Sequence, residues 1–304
     1  MSIDKFAKDL LFAINNNIID KKLLSEDVKG FRGGYFFLLI ILLNKVINYF
    51  NFKNKIIFTN QKPYIKINDL YFEIVNKYFL KIVNEPYVSK SYLIINFFHN
   101  FNFKPKIILD VGACWGEYSL ILGRHFNESH IYAIEGSQLN YKILRNNITF
   151  ELNKIKNVES YNYIVSDNNN YKFIKNIIGT TNTVENYISK KNKIYSKVKS
   201  VTLKKFLFEN KLTHIDFLKL DIEGHEINLI KDILDIDIKY GQIEIININS
   251  LEENFKFLEQ LSTKYKLFDT ETFNLIEEKK LKTYISDKLV HLVAFDVFII
   301  SKNI

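Results

Sequence analysis

The stretch Ile215-Asp-Phe-Leu-Lys-Leu-Asp221-Ile-Glu223-Gly224-His225-Glu226 restricts the fold more than any other part of the chain. Ile215 to Leu220 is a short apolar-rich run of the kind that forms a strand buried on both faces. It then delivers three acids and a histidine within six residues. Charge at that density is costly inside a core, so it belongs at a sheet edge facing a cleft. The structural alternative is helix capping by Asp221 or Glu223.

Other segments place this strand in an α/β pattern. Ile107–Val111, His130–Ile134, Val158–Ser166 and Gln242–Ile248 read as further strands, with helices expected over 117–126, 137–150 and from about Glu226. Ser250-Leu-Glu-Glu253 is a capping box for another helix. Tyr265–Phe268 and Leu292–Ile300 are late strands with little helix expected between them. Strands alternating with helices imply a mostly parallel sheet covered on both faces. Such sheets bind ligands beyond the C-terminal ends of their strands, which directs attention to Val111–Gly116, Glu135, Ser166–Asp167, Asp221 and Glu244. Upstream, residues 1–100 read as a mostly helical extension. It carries a hairpin through Ile56–Phe58, Tyr64–Ile67 and Leu70–Ile74, then a helix over 77–99 with Pro86 in its path. Residues 101–304 form the second domain.

Composition excludes several classes. The single cysteine, Cys114, rules out an internal disulfide framework and a cysteine-based zinc cluster. The net charge is +8, but only three of the 42 basic residues are arginine, Arg32, Arg124 and Arg145. A chain that reads nucleic acid usually draws on arginine's planar fork, so nucleic acid is disfavoured as a partner. Residues 1–100 carry 14 basic and 8 acidic side chains, which leaves either an acid-seeking surface or simply solvated lysines. The apolar run Gly33–Leu43 is too short to span a bilayer, for which about 20 residues are needed. The first ten residues lack a signal-peptide core. A soluble, cytoplasmic protein is expected.

Two more motifs carry chemistry. In Asp110-Val-Gly112-Ala-Cys-Trp-Gly116-Glu117 an acid ends a strand and glycines frame a turn, with Gly112 able to let a ligand approach the backbone. Glycine spacing here departs from the Gly-x-Gly-x-x-Gly fingerprint of dinucleotide enzymes. Glu135 ends the following strand 23 residues after Gly112, where an acid can accept both hydroxyls of a ribose. Trp115 reads equally as a cofactor neighbour and as a core residue. Gly179–Glu185 reads as an acceptor-binding loop or an ordinary surface loop.

Together these residues resemble the FkbM-type methyltransferase family. Asp110-Val-Gly-Ala-x-x-Gly-x-Tyr-Ser is similar to its opening motif, Glu135 to the acid after its second strand, and Ile215–Glu226 to its most recognisable signature. Val201-Thr-Leu203 and Ile243-Glu-Ile245 resemble two further segments. Gly136 and Lys204 depart from the family's usual proline and aspartate. The resemblance covers roughly residues 105–304. It implies a Rossmann-like, seven-stranded class I methyltransferase sheet with an antiparallel final strand, and S-adenosylmethionine as methyl donor. Asp110, Gly112 and Gly116 would line the donor's amino-acid part, Glu135 its ribose, and Val165, Ser166 or Asp167 its adenine.

Methyl transfer needs alignment and removal of the acceptor's proton. His225 is a candidate general base, with packing or capping as the alternative. Asp221 with Glu223 or Glu244 is a candidate Mg²⁺ site of oxygen ligands. The resemblance points to an O-methyltransferase acting on a small-molecule or glycan hydroxyl, with a carbohydrate or glycoconjugate acceptor. An RNA ribose methyltransferase and a non-catalytic binding protein are the alternatives.

Overall fold

Apolar runs of five or six residues ending in an acid or glycine build the centre of this molecule. The structure is a computed structural model that describes residues 56–59, 62–67, 69–74, 87–175, 184–185 and 195–304. Two compact units divide the chain, Met1–Val83 and Asn84–Ile304. The first 55 residues of the expected helical extension, with the run Gly33–Leu43, residues 77–86 of the expected helix, and residues 179–183 of the expected acceptor loop lie outside the described residues.

In the first unit, β1 (Ile56–Thr59), β2 (Lys62–Ile67) and β3 (Leu70–Glu73) form an antiparallel three-stranded sheet. The turn at Asp69 sets Ile67 opposite Leu70. Ile65, Leu70 and Phe72 are buried, and Lys62 pairs with Glu73 at 3.0 Å.

The second unit opens with α1 (Tyr87–Asn100). It continues with β4 (Ile107–Val111), α2 (Glu117–His125), β5 (His130–Ile134), α3 (Gln138–Thr149) and β6 (Val158–Tyr161). After the excursion described below come α4 (Leu203–Glu209), β11 (Ile215–Leu220), a 3₁₀ turn (Glu226–Leu229) and α5 (Ile230–Asp235). The chain ends with β12 (Ile238–Ile246), α6 (Leu251–Lys264), β13 (Tyr265–Asp269), α7 (Leu281–His291) and β14 (Ala294–Ser301). Seven strands make one sheet in the order β13-β14-β12-β11-β4-β5-β6. β14 runs antiparallel to both its neighbours, while β12, β11, β4, β5 and β6 run parallel. This is the expected Rossmann-like sheet, with β11 in the middle and the strand order reversing between β4 and β11.

The two faces differ in chemistry. One holds the main apolar cluster: Leu109, Val111, Leu218, Leu220, Ile243 and Val297 pack with Phe206 of α4, Ile233 of α5, Phe257 and Leu261 of α6, and Ile285 of α7. The other carries aromatics at its base. Phe97 of α1 stacks on Phe298 with ring centres 4.1 Å apart, and Phe98 meets Phe217 edge-on at 4.9 Å. Helix α1 therefore packs as part of the second unit.

Four sequence expectations are corrected. Val158–Ser166 is not one strand. It breaks at Asn162, whose side-chain amide donates to the carbonyls of Glu135 and Gly136. Beyond the break, β7 (Ile164–Val165) joins a separate four-stranded sheet with β8 (Tyr171–Lys175), β9 (Val184–Glu185) and β10 (Tyr195–Val201), in the order β7-β10-β8-β9. The fifth strand starts at Ile238 rather than Gln242. The element after Glu226 begins as a 3₁₀ turn. An eleven-residue helix, α7, stands between the two late strands. It lacks a side-chain N-cap, so no start signal marks it, although Leu281 and Ile285 are buried one turn apart.

Candidate active site

Strand register assembles the site. Lys219 of β11 lies opposite Asp110 of β4 on one side and Gln242 of β12 on the other. Side chains alternate faces with a period of two, so these three share the face that bears the aromatics. Two residues further along each strand, the same face carries Glu135, Gly112, Asp221, Glu244 and Asp296. Four carboxylates thus line the C-terminal edge of the sheet, with Asp221 in the middle.

The inner row is neutralised by Lys219. Its ammonium donates to Asp221 Oδ2 at 3.0 Å, lies 3.8 Å from Asp110 Oδ1, and sits 4.5 Å from the centre of the Tyr118 ring. Burial works against that charge, but Asp221 and Asp110 outweigh it and hold the lysine above its ordinary value. Asp110 is fully buried and accepts from Ser119 Oγ at 2.5 Å, while its Oδ1 has no hydrogen-bond partner. Burial raises its pKa, and Lys219 opposes the shift.

At Gly112 the chain turns with φ +84°, and a Cβ there would stand 1.7 Å from the carbonyl oxygen of Asp221. The close approach that demands glycine is therefore to the strand-end backbone of β11. Gly116, at φ +86°, ends the same loop and is the N-cap of α2. Trp115 is buried and donates its indole N–H to Asn140 at 3.1 Å, which makes it a core residue.

Glu135 closes the other end of the loop. One oxygen accepts from Cys114 N at 2.9 Å and the other from Ser137 N at 2.7 Å. Burial nevertheless lifts its pKa to about 7. A carboxylate has about four acceptor positions, so each oxygen keeps capacity for one more donor. That suits two adjacent hydroxyls, and a ribose at this strand tip fits the residues present.

The remaining expected residues fall as follows. Ser166 bonds Ser200 Oγ and the Asn168 carbonyl at the join of β7 and β10, and Asp167 is exposed beside it. Asn162 stands next to Glu135, its amide on the Glu135 carbonyl at 2.8 Å, at a position that a continuous strand over Val158–Ser166 would hide. His225 is half-buried and is the N-cap residue of the 3₁₀ turn, four residues past Asp221. Glu223 takes φ +58°, and burial, then Asp221, lifts it to about 7. Glu226 is buried and accepts from Ile222 N at 2.5 Å, which ties down the loop, and burial lifts its pKa to about 8. Lys204 pairs with Asp235 at 2.6 Å, away from this edge, while Thr202 caps α4.

The expected Mg²⁺ site is corrected. Among the described residues no group of three or more His, Cys, Asp or Glu is arranged to hold a metal ion. Asp221 is turned to Lys219, and Glu244 faces Asp296 across the strand pair.

Residues 110–273 match the family model described as the methyltransferase FkbM domain, a little over half of the chain. The chain belongs to this FkbM methyltransferase family. Membership makes it an S-adenosylmethionine-dependent methyltransferase, and both signature motifs, Asp110–Glu117 and Ile215–Glu226, lie at the sheet edge described above. No curated protein matches the chain. Among solved structures it is similar to the fibrillarin pre-rRNA processing protein of Methanococcus jannaschii, at 14% identity and TM-score 0.40, covering 83% of this chain and 84% of that one. It is also similar to the precorrin-6y C5,15-methyltransferase of Geobacter metallireducens, at 11% identity and TM-score 0.38, covering 70% and 87%. A third is M. jannaschii TYW2 in complex with AdoMet, at 10% identity and TM-score 0.39, covering 81% and 87%. Among the described residues, no helix of this FkbM chain is long and apolar enough to cross a membrane.

Proposed function

We propose that this chain is an O-methyltransferase that methylates a hydroxyl of a carbohydrate or glycoconjugate in the cytoplasm. The observation that carries this reading is the edge row itself. Beyond Glu135, Asp221, Glu244 and Asp296 continue a line of carboxylates, and a polyol is the neutral ligand richest in matching donors.

Glu135 would hold the donor's ribose, and Asp110, Gly112 and Gly116 its amino-acid part. Asn162, Ser166 and Asp167 would be the candidates for its adenine. S-adenosylmethionine supplies a methyl group already activated by its sulfonium charge. The protein's own task is to align the acceptor oxygen and take up its proton. Asp221, fixed by Lys219, is placed to accept a hydrogen bond from the acceptor hydroxyl. His225, on the loop that follows, is the proposed general base.

The test is radiolabelled methyl transfer onto fractionated host glycans, lipids and RNA. Label in an alkali-stable position of the glycan fraction is expected. Label confined to RNA overturns the acceptor class, and no transfer to any fraction overturns the reading.

A further inference from the structure

We infer that the acceptor is a glycolipid, whose alkyl chain lies over an apolar rim beyond the tips of β12 and β14. This rests on the methyltransferase reading above and adds an apolar part to its acceptor.

Five of the ten large apolar side chains exposed among the described residues gather on this one stretch of edge: Ile248, Leu251, Val290, Leu292 and Val293. Single exposed apolar residues are ordinary, whereas a contiguous patch marks a surface that something covers. Strand pairing holds this one together. β12 ends at Ile246 opposite Ala294, and Asn247 N donates to the Val293 carbonyl at 2.9 Å. Ile248, Val290 and Val293 are 64%, 71% and 68% exposed. Ile248 also reaches the reactive loop, because a Cβ at Gly224 would stand 2.4 Å from its Cγ2. Gly224 lies between Glu223 and His225, so the rim touches the loop that carries the proposed base.

Its place decides what covers the rim. Sheet order sets β4 and β5, with Gly112 and Glu135 at their tips, on one side of β11, and β12 and β14 on the other. The methyl donor is charged and polar and belongs to the first side. A molecule that brings its hydroxyl to Asp221 from the second side passes over Ile248 and Val293. The residues between and after them on the β12 side, Asn247, Asn249 and Ser250, bring no charge. The edge therefore changes from carboxylates to apolar surface along the acceptor's own path. A polyol head over the carboxylates and an alkyl tail over the rim match both parts, and a glycolipid joins the two covalently. Each methylene fully withdrawn from water strengthens binding about fourfold, whereas a soluble glycan leaves the rim wet.

The test is radiolabelled methyl transfer from S-adenosylmethionine by the full chain onto a chloroform–methanol lipid extract of the host and, separately, onto its water-soluble glycans. Label should enter the lipid extract, and hydrolysis that frees the glycolipid sugars should carry it into the glycan fraction. Ile248→Ser combined with Val293→Ser should lower that transfer at least about tenfold, the worth of two methylenes. S-adenosylhomocysteine affinity of this double variant should stay within about twofold of wild type. Phe208→Ser, at an exposed apolar residue of α4 that leads into the other end of β11, should change neither reading. Label only outside the lipid extract, or full transfer to that extract by the double variant, overturns the inference and leaves the methyltransferase reading standing. A wild-type dimer in sedimentation that the double variant loses assigns the rim to a second copy and overturns it too. No nucleoside binding and no transfer to any fraction count against the methyltransferase reading, and the inference falls with it.

Discussion

Lys219 donates to Asp221 across 3.0 Å from a position almost fully closed to solvent. This bond joins the interior of the sheet to its reactive edge. The lysine is the buried cation that makes two neighbouring acids tolerable, and it fixes Asp221 in place. Removing one partner of such a pair strands the other in low dielectric. Lys219→Met should therefore destabilise the chain by about 3–5 kcal/mol, read as a lower urea midpoint. Lys219→Met combined with Asp110→Asn should recover part of that loss, and additive losses would contradict the coupling.

Stability should fall as pH rises from about 5 to about 8. Burial lifts Glu135 and Glu223 to about 7 and Glu226 to about 8. In that window the folded chain holds protons that the unfolded chain has released, so raising the pH favours unfolding. Glu135 alone contributes on the order of 1–3 kcal/mol. Thermal melts across this range check it: the midpoint should drop by several degrees, and a flat or rising profile would contradict the burial of these acids.

Phe97→Ala should cost about 3–5 kcal/mol. Phe97 is completely buried and stacks on Phe298 of the central sheet. Chemical denaturation of the variant measures this, and a loss below about 1 kcal/mol would mean that α1 does not belong to the core of the second unit.

Gly112→Ala should leave little folded protein. The added Cβ would overlap the Asp221 carbonyl, and φ +84° is unfavourable for alanine in any case. Soluble yield and a melting curve check this, and near-normal stability would show that the turn and the end of β11 are not in contact.

Much of the sheet is visible in the residues themselves. Apolar runs such as Ile107–Val111 and Ile215–Leu220 have the length of buried strands, and each leads into an acid or a glycine that marks its tip. Glu135 and Asp221 stand out because a charge directly after such a run needs a solvent-facing edge. What is not visible depends on register. Gln242 and Asp296 look like ordinary strand residues until pairing sets one beside Lys219 and the other opposite Glu244. Asn162 is hidden by a local pattern that favours a continuous strand, and only its bonds to the Glu135 and Gly136 carbonyls explain the break. Helix α7 is hidden because it begins without a side-chain cap.

Binding of S-adenosylmethionine to the wild-type chain and to Glu135→Gln, compared by calorimetry, is the most direct test of the strand-tip site. Exchanging the carboxylate for a neutral amide weakens charge-assisted bonds to two hydroxyls, each worth about 1.5–3 kcal/mol. Saturable binding by the wild-type chain and a loss of about 10–100-fold in the variant is the predicted result. Equal affinity in the two proteins, or no binding by either, would contradict it.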